Sequence, residues 1–267
     1  MTDASAHHDR ALALARAALD AAPAGLLTDL DGTLAPIVSD PQAARPLPAA
    51  MAALRTLRER LAVVAVITGR AGGDARRMLG GDDLLVVANH GLEWLEPGAQ
   101  PTPRDDLAWA PAAVQQALDR VTLGDEAWIE DKALSATLHF RGADDPERVR
   151  ERLRGELGDV GPMGLVVRDG RMSLEVRPAS AGDKGTALQA LVARNGLRGL
   201  LVMGDDTTDL DMFRAAAEAR AAGRLRAAIL AVAGVGEVAP AIAAASDAVL
   251  PDPAAAVRLL EELASGR

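Results

Sequence analysis

Short apolar segments alternate with amphipathic segments in the first and last parts of the 267-residue chain. The apolar segments predict strands, and the segments with helical periodicity predict helices. The predicted strands cover 24–28, 62–67, 84–88, 199–203 and 227–232, and the predicted helices cover 4–21, 48–60, 72–79, 184–195, 209–222 and 253–264. Because strands that alternate with helices favour right-handed crossovers, these stretches together predict one α/β domain with a parallel sheet.

The middle of the chain follows a different order. It predicts two helices, at 111–121 and 145–157, and two hairpins, formed by 127–133 with 135–141 and by 164–168 with 171–177. In the second hairpin the Asp169-Gly170 pair favours a two-residue turn. We therefore expect a core of residues 1–108 and 178–267, interrupted by an α+β cap domain over residues 109–177.

Composition narrows the classes of partner. The net charge of -9 argues against nucleic acids and membrane surfaces as partners. Nonspecific binding to either depends on an excess of Lys and Arg that faces phosphate groups. The chain has no cysteine, which excludes disulfides, thiolate nucleophiles and cysteine-ligated metals. The N-terminal segment lacks the continuous apolar region of a signal peptide, so the cytoplasm is the expected compartment. The oligomeric state stays open at this level, with a monomer favoured.

Polar motifs follow several predicted strands. "DLDGT" at 29–33, "TGR" at 68–70 and "GDDTTD" at 204–209 each come directly after an apolar segment, and Lys184 opens a predicted helix. In an open parallel sheet, ligands gather beyond the carboxyl ends of the strands. A lysine at a helix N-terminus can face an anion together with backbone N–H groups. The four motifs therefore predict one site at this edge of the sheet.

These types of residue point to phosphoryl transfer. A carboxylate such as Asp29 can attack phosphorus and form an acyl phosphate. A second carboxylate, Asp31, can protonate the leaving oxygen and later deprotonate water, a contribution of about 10² to 10⁴ in rate. An Asp-rich turn is the alternative explanation for the pair.

An anionic nucleophile repels an anionic phosphate by roughly 4 kcal/mol at about 4 Å and an effective dielectric of 20. Mg²⁺, which prefers oxygen ligands, would counter that repulsion if held by Asp29, a backbone carbonyl at Asp31 and Asp205. Lys184 would supply further positive charge. The hydroxyl of Thr68 can donate to a phosphoryl oxygen, and Gly69 lets the backbone approach closely.

Taken together and in this order, "DLDGT", "ITGR", "GDKG" and "GDDTTD" resemble the haloacid dehalogenase superfamily of aspartate-nucleophile phosphotransferases. The resemblance extends over essentially the whole chain. It implies a Rossmann-like core, dependence on Mg²⁺ and an aspartyl-phosphate intermediate on Asp29. It also implies a phosphatase, because Asp31 is the acid that dehalogenases lack.

Further segments are similar to the trehalose-phosphate phosphatases of that superfamily: "ANHGLEW" at 88–94, "EDKALSATLHFRG" at 130–142 and "SLEVRPASAGDKGTAL" at 173–188. The resemblance implies that Glu130, Lys132 and Glu175 hydrogen-bond glucose hydroxyls. Strand alternation places polar residues on one face of the cap sheet and apolar residues on the other. The polar set is Trp128, Glu130, Lys132, Ser135, Thr137, His139, Arg141, Ser173, Glu175 and Arg177, and the apolar set is Ala136, Leu138, Phe140, Met172, Leu174 and Val176. A solvated polar face is the alternative.

Other candidates have plainer explanations beside the functional one. Substrate contacts are expected at Gly69, Arg70, His90, Gly91 and Arg177, but His90 also fits an ordinary turn and Arg70 a helix cap or a solvated side chain. Asp206 and Asp209 are candidates for orienting Lys184 or a metal-bound water, with loop carboxylates as the alternative. Leu210 stands where the subfamily often has Glu, which puts the details of the metal loop in doubt.

Two other sequence signatures, for a calcium-binding loop and for a dinucleotide-binding motif, do not match this chain. A calcium loop that starts at Asp29 or Asp205 would have leucine at its sixth position instead of glycine. The segment "GVGEVA" at 234–239 mimics a dinucleotide fingerprint, but Pro240 and the short remaining chain leave no full βαβ unit after it.

The sequence thus predicts a Mg²⁺-dependent phosphatase of trehalose 6-phosphate. Without the synthase domain to which some relatives are fused, the chain is expected to act as a free-standing enzyme. The nearest alternative is a phosphatase of another sugar phosphate, such as sucrose phosphate or mannosylphosphoglycerate. A catalytically silent sugar-phosphate sensor is a further alternative, although such proteins usually lack the nucleophile or the acid.

Overall fold

The computed structural model describes residues 3–38, 40–99, 102–103, 105–170, 172–234 and 238–266. The chain forms two compact units: a larger one of residues 1–101 and 182–267, and a smaller one of residues 102–181. The smaller unit begins seven residues before the predicted cap boundary at 109 and ends four residues after the predicted boundary at 177.

The elements follow in chain order. The larger unit opens with α1 (Asp3–Leu19), β1 (Ala24–Thr28), α2 (Pro48–Arg58), β2 (Val63–Ile67), α3 (Gly72–Leu79), β3 (Leu85–Ala88) and β4 (Glu93–Leu95). The smaller unit contains β5 (Thr102–Pro103), α4 (Ala110–Leu118), β6 (Trp128–Asp131), β7 (Ala136–His139), α5 (Pro146–Leu157), β8 (Leu165–Gly170) and β9 (Ser173–Pro178). The larger unit resumes with α6 (Lys184–Asn195), β10 (Gly199–Gly204), α7 (Leu210–Ala221), β11 (Arg226–Val232), α8 (Pro240–Ala245), β12 (Ala248–Leu250) and α9 (Pro253–Ser265).

The larger unit is built on a sheet with the strand order β12-β11-β10-β1-β2-β3-β4. Neighbours from β12 to β3 are parallel, and β4 is antiparallel to β3. Successive side chains of a strand point to opposite faces, so Leu26 packs with α1, α2 and α9 while Leu27 packs with α6 and α7. Helices on both faces explain why these strands are apolar without alternation.

The smaller unit contains an antiparallel sheet with the order β6-β7-β9-β8. Ala136, Leu138, Phe140, Leu174 and Val176 are fully buried, as the alternation predicts, and they pack in one apolar cluster with side chains of α4 and α5. The opposite face is not simply solvated. Its polar side chains Ser135, Thr137, Ser173 and Arg177 are buried as well.

Two predictions about the second hairpin of the smaller unit are wrong. Asp169 and Gly170 pair with β9, opposite Leu174 and Ser173, so the chain reverses two residues later than the Asp-Gly pair predicts. A shift of two residues keeps every side chain on its face and lengthens the ladder, so the hydrophobic pattern does not oppose it. The backbone of Met172 is left-handed, with φ 53°, and its side chain is exposed instead of buried.

The helical and strand predictions of the larger unit agree with the structure to within two residues, but β4, α8 and β12 were not predicted. These three elements have three, six and three residues, too few for hydrophobic periodicity to be read. No helix in the described part of the chain is both long and apolar enough to cross a membrane.

Candidate active site

The candidate site lies where the parallel strands of the larger unit end. Thr28, the last residue of β1, pairs with Met203 near the end of β10 and with Val66 near the end of β2. Asp29 therefore follows β1 at the edge where Asp205 follows β10. The backbone N–H of Asp29 donates to the carbonyl of Met203 at 2.9 Å, so the sheet ladder fixes the first residue of the motif.

Lys184 is the first residue of α6 and is placed by a capping box. The carboxylate of Asp183 accepts from the backbone N–H of Thr186, and the hydroxyl of Thr186 accepts from the N–H of Asp183. The Lys184 side chain is 3% exposed, and its ammonium donates to Oδ1 of Asp29 at 2.8 Å and to Oδ1 of Asp209 at 2.7 Å. One buried cation thus joins two buried carboxylates from separate parts of the chain.

Asp209 is fully buried and bound at both oxygens. Beside the Lys184 contact at Oδ1, its Oδ2 accepts from the backbone N–H groups of Asp205 and Asp206 at 2.9 and 3.1 Å. Asp209 therefore shapes the loop that carries Asp205 and also holds Lys184 in place. Asp206 instead caps its own turn, where its Oδ1 accepts from the N–H of Thr208 at 2.7 Å. Leu210 packs in the apolar cluster that α6 and α7 share.

Asp29, Asp205 and Asp209 each offer an oxygen, and these three oxygens lie within 4.8 Å of one another. Carboxylate oxygens are the ligands that Mg²⁺ prefers. Gly32 and Gly234 let the backbone approach this cluster, because a Cβ at either would lie 2.0 or 2.5 Å from Oδ2 of Asp205. Since both oxygens of Asp209 already accept hydrogen bonds, Asp29 and Asp205 are better suited to hold the cation. The donor set and its glycine surroundings fit Mg²⁺.

The electrostatics of the cluster favour an added cation. Burial raises the pKa of Asp29 well above its ordinary value, and Lys184 opposes that shift. Burial, together with Asp209 and Asp206, raises the pKa of Asp205 to about 8. Burial lowers the pKa of Lys184, but Asp209 and Asp29 outweigh it, so the net pKa is raised and the lysine stays charged. One positive charge is insufficient for these carboxylates, and a bound cation would lower their pKa values.

Asp31 is not part of this carboxylate cluster and is paired with Arg70. The guanidinium donates from Nε to Oδ2 at 2.6 Å and from Nη2 to Oδ1 at 2.7 Å, a bidentate contact between half-buried side chains. Sequence reasoning predicted a phosphate contact for Arg70 and missed this pair.

The "TGR" motif and His90 meet in the larger unit. Thr68 is buried, and its hydroxyl accepts from the backbone N–H of Arg70 at 3.2 Å. A Cβ on residue 69 would lie 2.5 Å from Cε1 and Nε2 of His90, so glycine at 69 lets that imidazole approach the motif. His90 and Gly91 both have left-handed backbone, with φ 56° and 108°. The structure thus brings His90 beside Gly69, which an isolated turn would not require.

The predicted sugar contacts lie on the polar face of the sheet in the smaller unit. Glu130 is opposite Thr137, which in turn is opposite Glu175 on the next strand. Lys132 Nζ is 3.7 Å from Oε2 of Glu130, and Arg177 Nη1 is 3.6 Å from Oε2 of Glu175. Each predicted acid is therefore accompanied by a predicted cation. Sequence reasoning placed His139 on this face but did not select it, although its Nε2 lies 2.9 Å from Oε2 of Glu130.

Comparisons with known proteins agree with this architecture. The trehalose-phosphatase family model matches residues 27–241. A trehalose-phosphate phosphatase of Mycobacterium avium is 35% identical over 202 residues, which are 70% of this chain and 50% of that protein. The chain therefore spans about half the length of the first curated relatives it matches. A probable trehalose-phosphate phosphatase of Sinorhizobium fredii is 30% identical over 71% of this chain and 72% of that protein.

Solved structures have the same fold. The C-terminal domain of a Candida albicans trehalose-6-phosphate phosphatase has a TM-score of 0.73 at 23% identity, over 97% of this chain and 96% of that one. An Aspergillus fumigatus trehalose-6-phosphate phosphatase has a TM-score of 0.64 at 27% identity, over 97% and 98%. From the extent of the family match and the identity to its relatives, we conclude that the chain belongs to the trehalose-phosphatase family.

Proposed function

We propose that this protein hydrolyses trehalose 6-phosphate to trehalose and phosphate through an aspartyl-phosphate intermediate on Asp29, with Mg²⁺ as cofactor. The observation that carries the proposal is the buried contact of Lys184 with Asp29, 2.8 Å long, beside the carboxylate of Asp205. A carboxylate that must attack an anion needs positive charge at that position. Membership of the trehalose-phosphatase family supports the choice of substrate.

In the first step an oxygen of Asp29 attacks phosphorus, and the bond from phosphorus to the sugar oxygen breaks. Asp31 gives its proton to that oxygen, so the sugar leaves as an alcohol. In the second step Asp31 takes a proton from water, the water oxygen attacks phosphorus, and the bond to Asp29 breaks. Phosphate leaves, and both carboxyl groups return to their starting states.

Positive charge comes from three sources. Lys184 holds Asp29 and faces the charge that develops on the phosphoryl group. Asp29, Asp205 and the backbone carbonyl of Asp31 would hold Mg²⁺, which would supply electrostatic stabilisation of that charge. The guanidinium of Arg70 must leave its bidentate contact when Asp31 carries a proton, and the phosphate is the natural alternative partner for its fork of donors. Arg70 can thus serve both groups in turn.

The remaining contacts would select the substrate. The hydroxyl of Thr68 and the backbone at Gly69 would bind phosphoryl oxygens, with His90 and Gly91 beside them. Sugar hydroxyls both donate and accept hydrogen bonds, so paired acids and cations suit them. Glu130 with Lys132 and Glu175 with Arg177 form two such pairs on the smaller unit.

The test is phosphate release from trehalose 6-phosphate in the presence and absence of Mg²⁺, with sucrose phosphate, mannosylphosphoglycerate and 4-nitrophenyl phosphate as further substrates. We expect hydrolysis of trehalose 6-phosphate that depends on the metal and is abolished in Asp29→Asn. Glu130→Ala should weaken hydrolysis of trehalose 6-phosphate and leave that of 4-nitrophenyl phosphate unchanged. Full activity of Asp29→Asn would exclude the mechanism, and a better reaction with another sugar phosphate would exclude the substrate.

A further inference from the structure

The polar face of the smaller unit carries a stacked pair of rings that the proposed mechanism does not use. Trp128 on β6 is directly opposite His139 on β7 in the antiparallel register. Their ring centroids are 4.1 Å apart and their planes differ by 21°. Cross-strand aromatic pairs of this kind stabilise a sheet, but Trp128 remains 52% exposed.

The stacked imidazole contacts Glu130, a residue predicted to bind the sugar. His139 Nε2 lies 2.9 Å from Oε2 of Glu130, and Lys132 Nζ lies 3.7 Å from the same oxygen. A carboxylate oxygen accepts hydrogen bonds, and an imidazole N–H at Nε2 can donate to it. The contact therefore restrains the orientation of both the Glu130 carboxylate and the His139 ring.

The stack explains why His139 is held in that orientation. A histidine side chain at the sheet surface can adopt several rotamers. Few of them would keep the His139 ring stacked on Trp128 at this distance. The indole also excludes water from one side of the imidazole, and a hydrogen bond in a less polar environment is stronger. Trp128, His139 and Glu130 thus form a chain of contacts in which each member restrains the next.

We infer that His139, backed by Trp128, is a positioning residue that holds the Glu130 carboxylate in place for the sugar. This inference rests on the proposed function, in which Glu130 accepts a hydrogen bond from a sugar hydroxyl. A glutamate that is fixed before the sugar arrives loses less conformational freedom on binding, which increases affinity. His139 acts only through Glu130 and therefore affects recognition of the sugar and not the chemistry at phosphorus.

The experiment compares His139→Ala and His139→Gln with the wild type on trehalose 6-phosphate and on 4-nitrophenyl phosphate, which has no sugar. For His139→Ala we expect KM for trehalose 6-phosphate to rise about tenfold, as for a lost hydrogen bond to a charged group, with kcat little changed. His139→Gln keeps an N–H donor near the Nε2 position and should recover part of the loss. Neither variant should change kcat/KM for 4-nitrophenyl phosphate.

The chain offers a matched control in the larger unit. His8 Nε2 lies 2.9 Å from Oε1 of Glu262, and the His8 side chain is 19% exposed, against 20% for His139. His8→Ala removes a contact of the same type and length with a histidine of similar exposure, and neither His8 nor Glu262 is a predicted site residue. It should leave KM for both substrates unchanged. A tenfold rise in KM for His8→Ala as well would show a general loss of integrity and overturn the inference.

A double-mutant cycle separates positioning from direct contact. In the Glu130→Ala background, His139→Ala should have no further effect on KM, because its action needs Glu130. A full additional loss in that background would show that His139 acts independently and would overturn the inference. So would an unchanged KM for the single variant, or an equal loss with 4-nitrophenyl phosphate.

The second ring gives a further test. Trp128→Ala should raise KM for trehalose 6-phosphate in the same direction as His139→Ala, and Trp128→Phe, which keeps an aromatic face, should restore most of it. An unaltered KM in Trp128→Ala would remove the role of the stack. A wild type that hydrolyses 4-nitrophenyl phosphate but not trehalose 6-phosphate would overturn the proposed function and this role of His139 with it, a result different from that of an active wild type with silent variants.

Discussion

The ammonium of Lys184 lies 2.8 Å from Oδ1 of Asp29, and both side chains are almost completely buried, at 3% and 7% exposed. The same ammonium lies 2.7 Å from Oδ1 of the fully buried Asp209. Two carboxylates share one cation, so ionising every acid of the site needs more positive charge than Lys184 supplies. This imbalance is unfavourable for folding and favourable for binding a metal ion, because burial strengthens every charge interaction within the cluster.

Lys184→Met should therefore destabilise the protein as well as abolish hydrolysis. Removing one member of a buried ion pair typically costs about 3–5 kcal/mol, because the partner is left charged and unpaired. The free energy of unfolding from urea titration, measured without metal, is expected to fall by about that amount. In an Asp29→Asn background the same substitution should cost clearly less, because one of the two carboxylates has already been neutralised. An equal cost in both backgrounds would mean that the Asp29 contact contributes nothing.

Gly32→Ala should weaken Mg²⁺ binding. The backbone of Gly32 is left-handed, with φ 79°, and an added Cβ would lie 2.0 Å from Oδ2 of Asp205, so the carboxylate would have to move away from its position. We expect the affinity for Mg²⁺, measured by calorimetric titration, to fall by at least about tenfold. Loss of Mg²⁺-dependent phosphate release should accompany the weaker binding.

The control for this substitution is Gly80→Ala. The backbone of Gly80 is also left-handed, with φ 70°, but nothing lies within 4 Å of the added Cβ. Gly80→Ala should therefore introduce similar backbone strain, of order 1 kcal/mol, and leave Mg²⁺ affinity unchanged. If both variants bound Mg²⁺ equally well, the proposed place of Asp205 in the metal site would be wrong.

Asp31→Asn should slow both chemical steps while keeping the fold and the metal site. Loss of a general acid and base is expected to lower kcat by about 10² to 10⁴. KM should change much less, because Asp31 lies outside the cluster of carboxylates that surrounds Lys184. Steady-state kinetics on trehalose 6-phosphate measure the effect, and circular dichroism checks that the fold is retained.

Asparagine at position 31 can still accept one hydrogen bond from Arg70 but cannot make a charged bidentate pair. Arg70→Lys distinguishes the two proposed roles of the arginine. If Arg70 binds the phosphate, this variant should raise KM for every phosphate monoester, including 4-nitrophenyl phosphate, since lysine lacks the fork of donors. A kcat effect alone would restrict Arg70 to holding Asp31.

The sequence was sufficient to place the acidic motifs at the edge of the sheet, because that placement depends only on where each strand ends. Apolar segments locate the strands, and the residue after each strand then lies at the carboxyl edge of a parallel sheet. Asp29 and Asp205 follow from that rule alone. The contact of Asp209 with Lys184 needed more, because the two residues lie 25 positions apart and meet only through the packing of α6 beside α7.

Other features depended on details that periodicity does not contain. The Arg70 pair with Asp31 joins two loops that are 39 positions apart and is decided by side-chain rotamers. The position of the turn in the second hairpin could not be predicted from the hydrophobic pattern, because a turn two residues later leaves every side chain on the same face of the sheet. Only the turn residues favoured one position. The His139 contact with Glu130 could have been found from the polar face that alternation predicts, but it is a diagonal pair and needs the exact register of β6 and β7.

The raised pKa of Asp205 predicts how stability depends on pH. Burial, with Asp209 and Asp206, raises this pKa from 3.8 to about 8, so the folded protein binds a proton at Asp205 more tightly than the unfolded chain does. The stabilising contribution is complete below about pH 4 and is lost as the pH rises to about 8. The melting temperature of the metal-free protein should therefore fall between pH 5.5 and 8.5, and it should fall less in Asp205→Asn.

Asp83→Asn is the control, since its ion pair has the opposite linkage. The hydrogen bond from Arg55 lowers the pKa of Asp83, so the stability from that pair is present above the ordinary pKa and is lost only in acid. Asp83→Asn should change the melting temperature equally at pH 5.5 and 8.5. Saturating Mg²⁺ should raise the melting temperature most at pH 8.5, where no proton has to be displaced from Asp205. A metal-free melting temperature that falls equally in wild type and Asp205→Asn would show that Asp205 is not the group responsible.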